Sequence, residues 1–422
     1  MTNPIDIRHA IQNVDDQSSF IRRFLVDALE WPIEDDIEDL GPIAYDWDPA
    51  ELGIDPDQAA LLDGRILQIR PFTGNQPWGV FLMEIEREDV FHTGRGMTGL
   101  LRRLMNKLVP RRRADPERPA WHRENLLFIA TYRYRHFRFA YFKPPPEDAK
   151  TAPLASFGWT HGDTHIRTLC EYNLPALVYR ATLADDPQRW VAQWAEAFDV
   201  SKVTRGFFND YHTAFDTVEN NIRGVRGPGA AERKRLYTQR LLNRLMFLYF
   251  IERKGWLTYN GSTRYLHSLF ESAEAADENF LGDRLYWLFF YGLNLKRDEL
   301  DDETKAIVLD KCGEVPYLNG GLFTLLDDLD RRGAVTLPND AFRAVIDLFE
   351  RYNFTVTEST PLDIEVAVDP EMLGKVFEEL VTGRHESGSY YTPRPVVSFM
   401  CREALKGFLV DAAGTPPADA EA

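Results

Sequence analysis

The sequence has 422 residues, 44% of them hydrophobic, and its 66 acidic side chains outnumber its 49 lysines and arginines to give a formal net charge of −17. This length and apolar content predict two or three domains with buried cores. The negative charge argues against a protein that coats nucleic acid indiscriminately, because phosphate neutralisation needs clustered cations. No apolar run reaches the roughly 18 residues that cross a bilayer, and the first residues lack the basic and apolar blocks of a signal peptide. We therefore expect a cytoplasmic protein without a membrane partner.

The first 150 residues mix the signals of helices and strands. Amphipathic spacing predicts helices, and short alternating or compact apolar runs predict strands. We interpret residues 1–150 as one mixed α/β domain that ends in a stiff, proline-rich stretch. Its predicted elements are, in chain order, a helix at 20–29, strands at 64–70 and 80–85, a helix at 98–108, and strands at 126–130 and 132–142.

A basic block lies inside this acidic chain. Residues 87–143 contain fourteen lysines and arginines against five acidic residues, a local net charge of +9. Such a block can contact DNA phosphates, and its alternating aromatic side chains can stack on bases. The same pattern also fits a solvated surface whose aromatic side chains face a core, so both interpretations stay open. The candidate DNA-binding residues are Arg102, Arg103, Arg111, Arg112 and Arg113.

The pattern becomes mainly helical after a connecting segment at 151–200. Helices are predicted at 235–256, 283–291 and 340–352, and the first is apolar almost all round, which places it at the centre of a bundle. This helical domain is expected to span 201–380. In the last segment, 381–422, Thr392 is a predicted N-cap with Pro393 at the first helical position, and Val397, Met400 and Phe408 are expected on a buried face.

The turn before this last helix reads Tyr390-Tyr391-Thr392-Pro393. A helix N-terminus presents free N–H groups and a partial positive charge, which suit an anionic group of a ligand. Either tyrosine can lie against an apolar or aromatic part of such a ligand. An ordinary capped helix with tyrosines packed in the core explains the same residues, and physical chemistry alone leaves the choice open.

Several separated blocks resemble adenine-specific DNA methyltransferases of restriction–modification and related phage-defence systems, among them type I modification subunits and fused type IIG-like enzymes. These blocks lie at 241–257, 316–323, 369–378 and 388–400. The resemblance implies that Tyr391, Thr392 and Pro393 help to bind S-adenosylmethionine. It also implies double-stranded DNA as a partner.

In that family, further cofactor contacts come from a glycine-rich loop, and catalysis comes from an Asn/Asp-Pro-Pro-aromatic loop that holds a flipped adenine. The sequence contains neither loop. We therefore expect the Rossmann-like methyltransferase core to be absent from this chain and to be supplied by a domain or subunit encoded downstream. The chain alone is expected not to methylate DNA.

The type IIG-like resemblance also implies a nuclease of the PD-(D/E)xK kind in the N-terminal domain, with Mg²⁺ held by acidic residues on adjoining strands. Asp63 precedes one predicted strand and Glu84 and Glu86 end the next, so all three are candidate catalytic residues. Asp63 and Glu84 are the candidate metal ligands, whereas Glu86 stands where a lysine is usual. The same acids can also simply solvate the end of a core strand.

The sequence thus predicts an α+β protein: a nuclease-like mixed α/β domain followed by a mainly α-helical domain. The leading hypothesis is the N-terminal portion of an S-adenosylmethionine-dependent, adenine-specific DNA methyltransferase. Two alternatives remain, a Mg²⁺-dependent endonuclease and a non-catalytic DNA-binding or assembly subunit.

Overall fold

The computed structural model divides the chain into two compact units, Met1–Asp369 and Pro370–Ala422. The structure describes residues 4–33, 43–92, 98–105, 125–142, 152–163, 166–318, 320–352, 354, 363–365, 392 and 394–411.

Within the described part of the first unit, seven strands form one mixed sheet in the order β1 to β7. Neighbouring strands pair antiparallel, except that β3 pairs parallel with β4 and β6 pairs parallel with β7. The strands are β1 (Ala44–Trp47), β2 (Leu62–Ile69), β3 (Trp78–Ile85), β4 (Asn125–Tyr132), β5 (His136–Phe142), β6 (Leu154–Thr160) and β7 (Asp363–Glu365).

Both faces of the central strands are covered. On one face, Leu100 and Leu104 of the helical stretch 98–105 join a core cluster with Phe81 and Phe128. The opposite face packs against the helix Phe20–Ala28, where the ring of Phe20 stacks on that of Phe137 at 5.4 Å. A strand covered on both faces reads as a continuous apolar run rather than an alternating one. This is why all of β3 is buried except Glu84, which is half-buried.

Helices make up most of the first unit after residue 166. Ala230–Arg253 is the longest helix described, and its buried side chains cover more than half of its circumference. Leu236 and Phe247 lie on the remaining side and are 41% and 36% exposed, so the helix is less completely enclosed than predicted. Between residues 166 and 351, the α-helices with at least eight residues are Pro187–Glu196, Val200–Asn221, Ala230–Arg253, Tyr265–Ala275, Asp302–Cys312 and Asn339–Arg351.

Shorter helical segments connect these elements. Three of the π-helical ones lie at Leu169–Asn173, Phe280–Leu285 and Leu288–Gly292. Residues 286–287 between the last two are α-helical, so residues 280–292 form one continuous helix, which confirms the predicted helix at 283–291. The N-terminal helix Phe20–Ala28 is also π-helical and follows Pro4–Gln12 and Gln17–Ser19. The remaining short segments are Pro56–Ala59, Asp89–His92, Leu174–Ala176, Ala181–Leu183, Arg297–Glu299, Gly321–Phe323 and Asp328–Asp330.

The sheet is larger than predicted. Strands β1, β6 and β7 were not expected, and both β6 and β7 lie after residue 150, where the α/β domain was predicted to end. Gly158 shows why β6 has a weak strand signal, since glycine is uncommon inside strands. A Cβ atom at this position would lie 2.3 Å from the carbonyl oxygen of Phe137 on β5, so the glycine permits close strand approach rather than a turn.

In the second unit, the helix Arg394–Asp411 confirms the predicted final helix. The expected buried face is wrong: Val397, Met400 and Phe408 are exposed by 41%, 60% and 63%. Helical spacing of apolar residues establishes an apolar stripe, but it does not specify a partner for that stripe. Among the described residues, no helix is both long enough and apolar enough to cross a membrane.

Candidate functional site

Asp63 and Glu84 lie on neighbouring antiparallel strands at one end of the sheet. Leu62 on β2 pairs with Ile85 on β3, which places the next residue of β2, Asp63, beside Glu84. The pairing register shifts between Leu62 and Ile66, a β-bulge in which Gly64 has a φ of 92°. Bulges re-aim side chains and occur next to active sites. The sequence predicted Glu84 at the end of a strand and Asp63 just before one, whereas Asp63 lies within β2, and the bulge was not predicted.

The carboxylate of Glu84 is half-buried and has a neutral hydrogen-bond donor. The hydroxyl of Tyr134 donates to Oε1 of Glu84 at 2.8 Å. Burial raises the pKa of Glu84 above its usual value, the Tyr134 hydrogen bond opposes this rise, and the negative charge of Asp63 adds to it. Asp63 itself is exposed, so only Glu84 is partly removed from water, and the two negative charges act together on a cation that approaches them.

A buried hydroxyl lies next to this pair. Thr131 on β4 is the register partner of Glu84 and lies on the same face of the sheet. Its side chain is 0% exposed, and among the described residues its Oγ1 has no hydrogen-bond partner. Buried polar atoms almost always have a partner in folded proteins. This hydroxyl lies beside Glu84, whereas Asp63 lies on the other side of β3, on β2.

The third predicted acid does not join the other two. Glu86 follows the last residue of β3, is exposed, and donates its backbone N–H to the carbonyl of Leu61. Within the described ranges, no group of three His, Cys, Asp or Glu side chains is arranged to hold a metal ion. Mg²⁺ is commonly bound through one or two carboxylates while it keeps several waters. Asp63 and Glu84, with the hydroxyl of Thr131 nearby, fit that mode of binding.

The described arginines of the basic block contact the protein itself. Arg102 donates to the carbonyl of Ala152 at 2.7 Å, and Arg103 forms an exposed ion pair with Asp55. Residues 111–113 lie outside the described residues. The aromatic side chains of β5 are buried, and Phe139 stacks on Phe157 of β6 at 5.5 Å. They line a core face, so the interpretation that they stack on bases is wrong.

Of the predicted cofactor turn, Tyr391 and Pro393 lie outside the described residues. Thr392 is exposed and precedes the helix Arg394–Asp411. Its side chain is therefore accessible to a ligand.

Sequence reasoning missed an ion pair that joins two of the blocks named above. Arg244, on the helix Ala230–Arg253, donates to the carbonyls of Leu322 and Thr324 and pairs with Asp330. The signal in the sequence was an arginine flanked by leucines and an asparagine, between the apolar residues 241–242 and 245–251. The hydrogen bond from Arg244 to Leu322 thus holds the segment around 322 against the helix Ala230–Arg253.

No family model matches this chain, and no solved structure matches it significantly. A protein of Methanocaldococcus jannaschii, named as a candidate type II restriction enzyme and methyltransferase, is 29% identical over 185 residues. This match covers 42% of the chain but only 15% of the relative. The similarity relates part of the chain to restriction–modification proteins.

Proposed function

We propose that this chain acts on double-stranded DNA as a component of a restriction–modification enzyme. The observation that carries the proposal is the similarity over 185 residues to the M. jannaschii protein, whose name combines restriction and methylation. The contact between the blocks around Arg244 and Leu322 supports it, since these blocks carry the resemblance to the same class of enzyme.

In the complete assembly, we propose that a methyl group passes from S-adenosylmethionine to N6 of adenine. This chain contributes DNA contact through its basic block and a part of the cofactor site through Tyr391, Thr392 and Pro393. A methyltransferase domain or subunit supplies the glycine-rich loop and the Asn/Asp-Pro-Pro-aromatic loop that the sequence lacks.

The test is methyl transfer from labelled S-adenosylmethionine to DNA, measured with the purified 422-residue chain and again after a methyltransferase partner is added. We expect activity only with the partner, and we expect Thr392→Ala to lower that activity. Methylation by the chain alone would contradict the division of the site.

A second function is favoured by the Asp63–Glu84 pair, namely metal-dependent cleavage of DNA. When bound there, Mg²⁺ or Mn²⁺ would activate water and stabilise the charge that develops on phosphate. Asp63 and Glu84 are the residues that would hold the ion. Glu86, exposed after the end of β3, does not join the pair and offers no positive charge to the phosphate.

Cleavage is tested by incubating the chain with double-stranded DNA and Mg²⁺ or Mn²⁺. We expect Asp63→Asn and Glu84→Ala each to abolish cleavage, and Glu271→Gln, an exposed carboxylate on the helix Tyr265–Ala275, to retain it. Cleavage that persists in Glu84→Ala, or that never occurs with either metal, would rule out this function. Only the absence of cleavage with both metals would leave the chain as a non-catalytic DNA-binding or assembly subunit.

A further inference from the structure

We propose that Tyr134 is a positioning residue that holds the Glu84 carboxylate in the orientation needed to bind a divalent metal ion. This inference rests on the proposed cleavage function, because it concerns the same pair of acids. Tyr134 belongs to neither the acidic pattern nor the candidate DNA-binding arginines of the sequence.

The first argument is the hydrogen bond itself. Tyr134 is only 5% exposed, and its hydroxyl lies 2.8 Å from Oε1 of Glu84. Burial and the nearby charges of Glu84 and Asp16 raise the pKa of Tyr134, so its hydroxyl remains a donor across the whole physiological range. The bond uses one oxygen of the carboxylate and leaves the other for a ligand. It thereby fixes the rotation of the carboxylate group.

The second argument is the backbone of the turn that carries Tyr134. Strands β4 and β5 are joined through Arg133 and Tyr134, with φ angles of 49° and 51°, and the N–H of Arg135 donates to the carbonyl of Tyr132 at 3.0 Å. Turns with two consecutive positive φ angles favour Asn-Gly. Residues with larger side chains have a conformational cost there, and such strained positions cluster at functional sites.

The packing of the Tyr134 ring shows what the turn achieves. Its ring centroid lies 5.8 Å from that of Phe20 and 6.3 Å from that of Phe137, so the ring is held between the N-terminal helix and the sheet. The turn therefore positions the rigid, buried side chain of Tyr134 so that its hydroxyl, just beyond the end of β4, reaches Glu84 on the neighbouring strand β3. A glycine at this position would relax the backbone and lose that donor.

The third argument concerns charge. A cation beside Glu84 would also satisfy its carboxylate, but it would cancel the negative charge that attracts a metal ion. A neutral hydroxyl satisfies one oxygen without cancelling the negative charge, so the second oxygen can still attract a cation. Hydrogen bonds of this kind to ligand carboxylates orient the ligand and tune its affinity.

The test compares Tyr134→Phe with Tyr141→Phe in the full chain. Tyr141 is the matched control, since it also lies on the sheet, is buried, and donates through its hydroxyl at 3.1 Å, in its case to Asn125. Mn²⁺ affinity is measured by calorimetry, and titration of Glu84 is followed by carboxyl ¹³C NMR with Glu84→Gln for assignment. Circular dichroism establishes that each variant is folded. Should Tyr134→Phe fail to fold, Arg133→Asn is added to relax the turn.

We expect Tyr134→Phe to weaken Mn²⁺ binding by roughly tenfold, as removal of a partner from a metal ligand does, and to raise the pKa of Glu84. Tyr141→Phe should change neither. Unchanged affinity and unchanged Glu84 titration in Tyr134→Phe would overturn the positioning role. If the wild type binds no Mn²⁺, the cleavage function and the metal role of Tyr134 both fail. If Tyr141→Phe changes the Mn²⁺ affinity as much as Tyr134→Phe does, the effect is a general loss of structure, and the specific role of Tyr134 is overturned.

Discussion

The side chains of Arg244 and Asp330 form an ion pair that is almost completely removed from solvent. Nη1 of Arg244 lies 2.8 Å from Oδ1 of Asp330, and the two side chains are 2% and 0% exposed. Arg244 also donates to the carbonyl of Leu322 at 2.8 Å, and Asp330 accepts from the N–H of Leu326 at 3.0 Å. The pair therefore fixes the chain between residues 322 and 330 onto the central helix.

We predict that Asp330→Ala destabilises the protein by about 3–5 kcal/mol, because it leaves the guanidinium of Arg244 buried without its counter-charge. The measurement is urea unfolding at equilibrium. Asp328→Ala is the control, since the Arg233–Asp328 pair is exposed. Such pairs contribute about 0–1 kcal/mol. Equal losses in the two variants would show that burial of the Arg244–Asp330 pair has no energetic effect.

A buried glutamate on the same helix should make stability depend on pH. Burial raises the pKa of Glu252 to about 8, with the backbone N–H of Leu266 acting against the rise and Glu350 adding to it. The pKa of Glu252 is lower in the unfolded chain, so ionisation of its carboxyl destabilises the folded protein relative to the unfolded one. The stabilising effect of the proton is complete below the unfolded pKa and is lost as pH rises toward 8.

We therefore predict that the free energy of unfolding of Glu252→Gln increases relative to that of the wild type as pH rises. The increase should be roughly 3 kcal/mol between about pH 5 and pH 8. The amide oxygen can still accept from the N–H of Leu266, so the variant tests charge rather than the hydrogen bond. Denaturant unfolding of both proteins at several pH values measures the difference. A difference that is constant with pH would mean that Glu252 titrates as an ordinary exposed carboxylate.

The strained turn between β4 and β5 makes a separate prediction. Arg133 is exposed and has a φ of 49°, a conformation that asparagine adopts more readily than arginine. We expect Arg133→Asn to raise the free energy of unfolding by on the order of 0.5–1 kcal/mol. Arg135→Asn, in the same turn but at a residue without positive φ, should give no gain. Thermal unfolding distinguishes the two, and an equal gain in both would contradict the assignment of strain to residue 133.

The basic block should contribute to DNA binding through Arg111 and Arg112. We predict that Arg111→Ala combined with Arg112→Ala weakens binding to double-stranded DNA and makes its salt dependence less steep. The logarithmic slope should fall by roughly 0.9 for each phosphate that the variant no longer neutralises. Fluorescence anisotropy across a salt series measures both quantities. Identical curves for the wild type and the double variant would show that these arginines do not bind DNA.

The sequence predicted those features that depend on neighbouring residues, and it missed those that depend on residues far apart along the chain. Local patterns were sufficient for β2, β3 and the central helix, because apolar runs and helical spacing specify such elements by themselves. They also placed Glu84 at the end of β3, although Asp63 was expected just before a strand and lies within β2. Tyr134 is separated from Glu84 by 50 residues, and Asp330 from Arg244 by 86, so neither contact leaves a local pattern.

Two departures from the predicted structure have a common cause. A glycine weakens the strand pattern around Gly158, yet this residue lies within β6 because the backbone of β5 approaches too closely for a side chain. The apolar stripe of the last helix suggested burial, yet Phe408 is 63% exposed. In both cases the local property of a residue type is real, but its surroundings depend on which other segment lies beside it.

The central claim is that the chain acts on DNA, and equilibrium binding of the purified protein to double-stranded DNA tests it most directly. We predict binding at about 50 mM salt that weakens steeply toward about 200 mM, as phosphate contacts require. Calcium in place of Mg²⁺ would keep the DNA intact during the measurement. Absence of binding at low salt, with and without divalent metal and S-adenosylmethionine, would contradict the account.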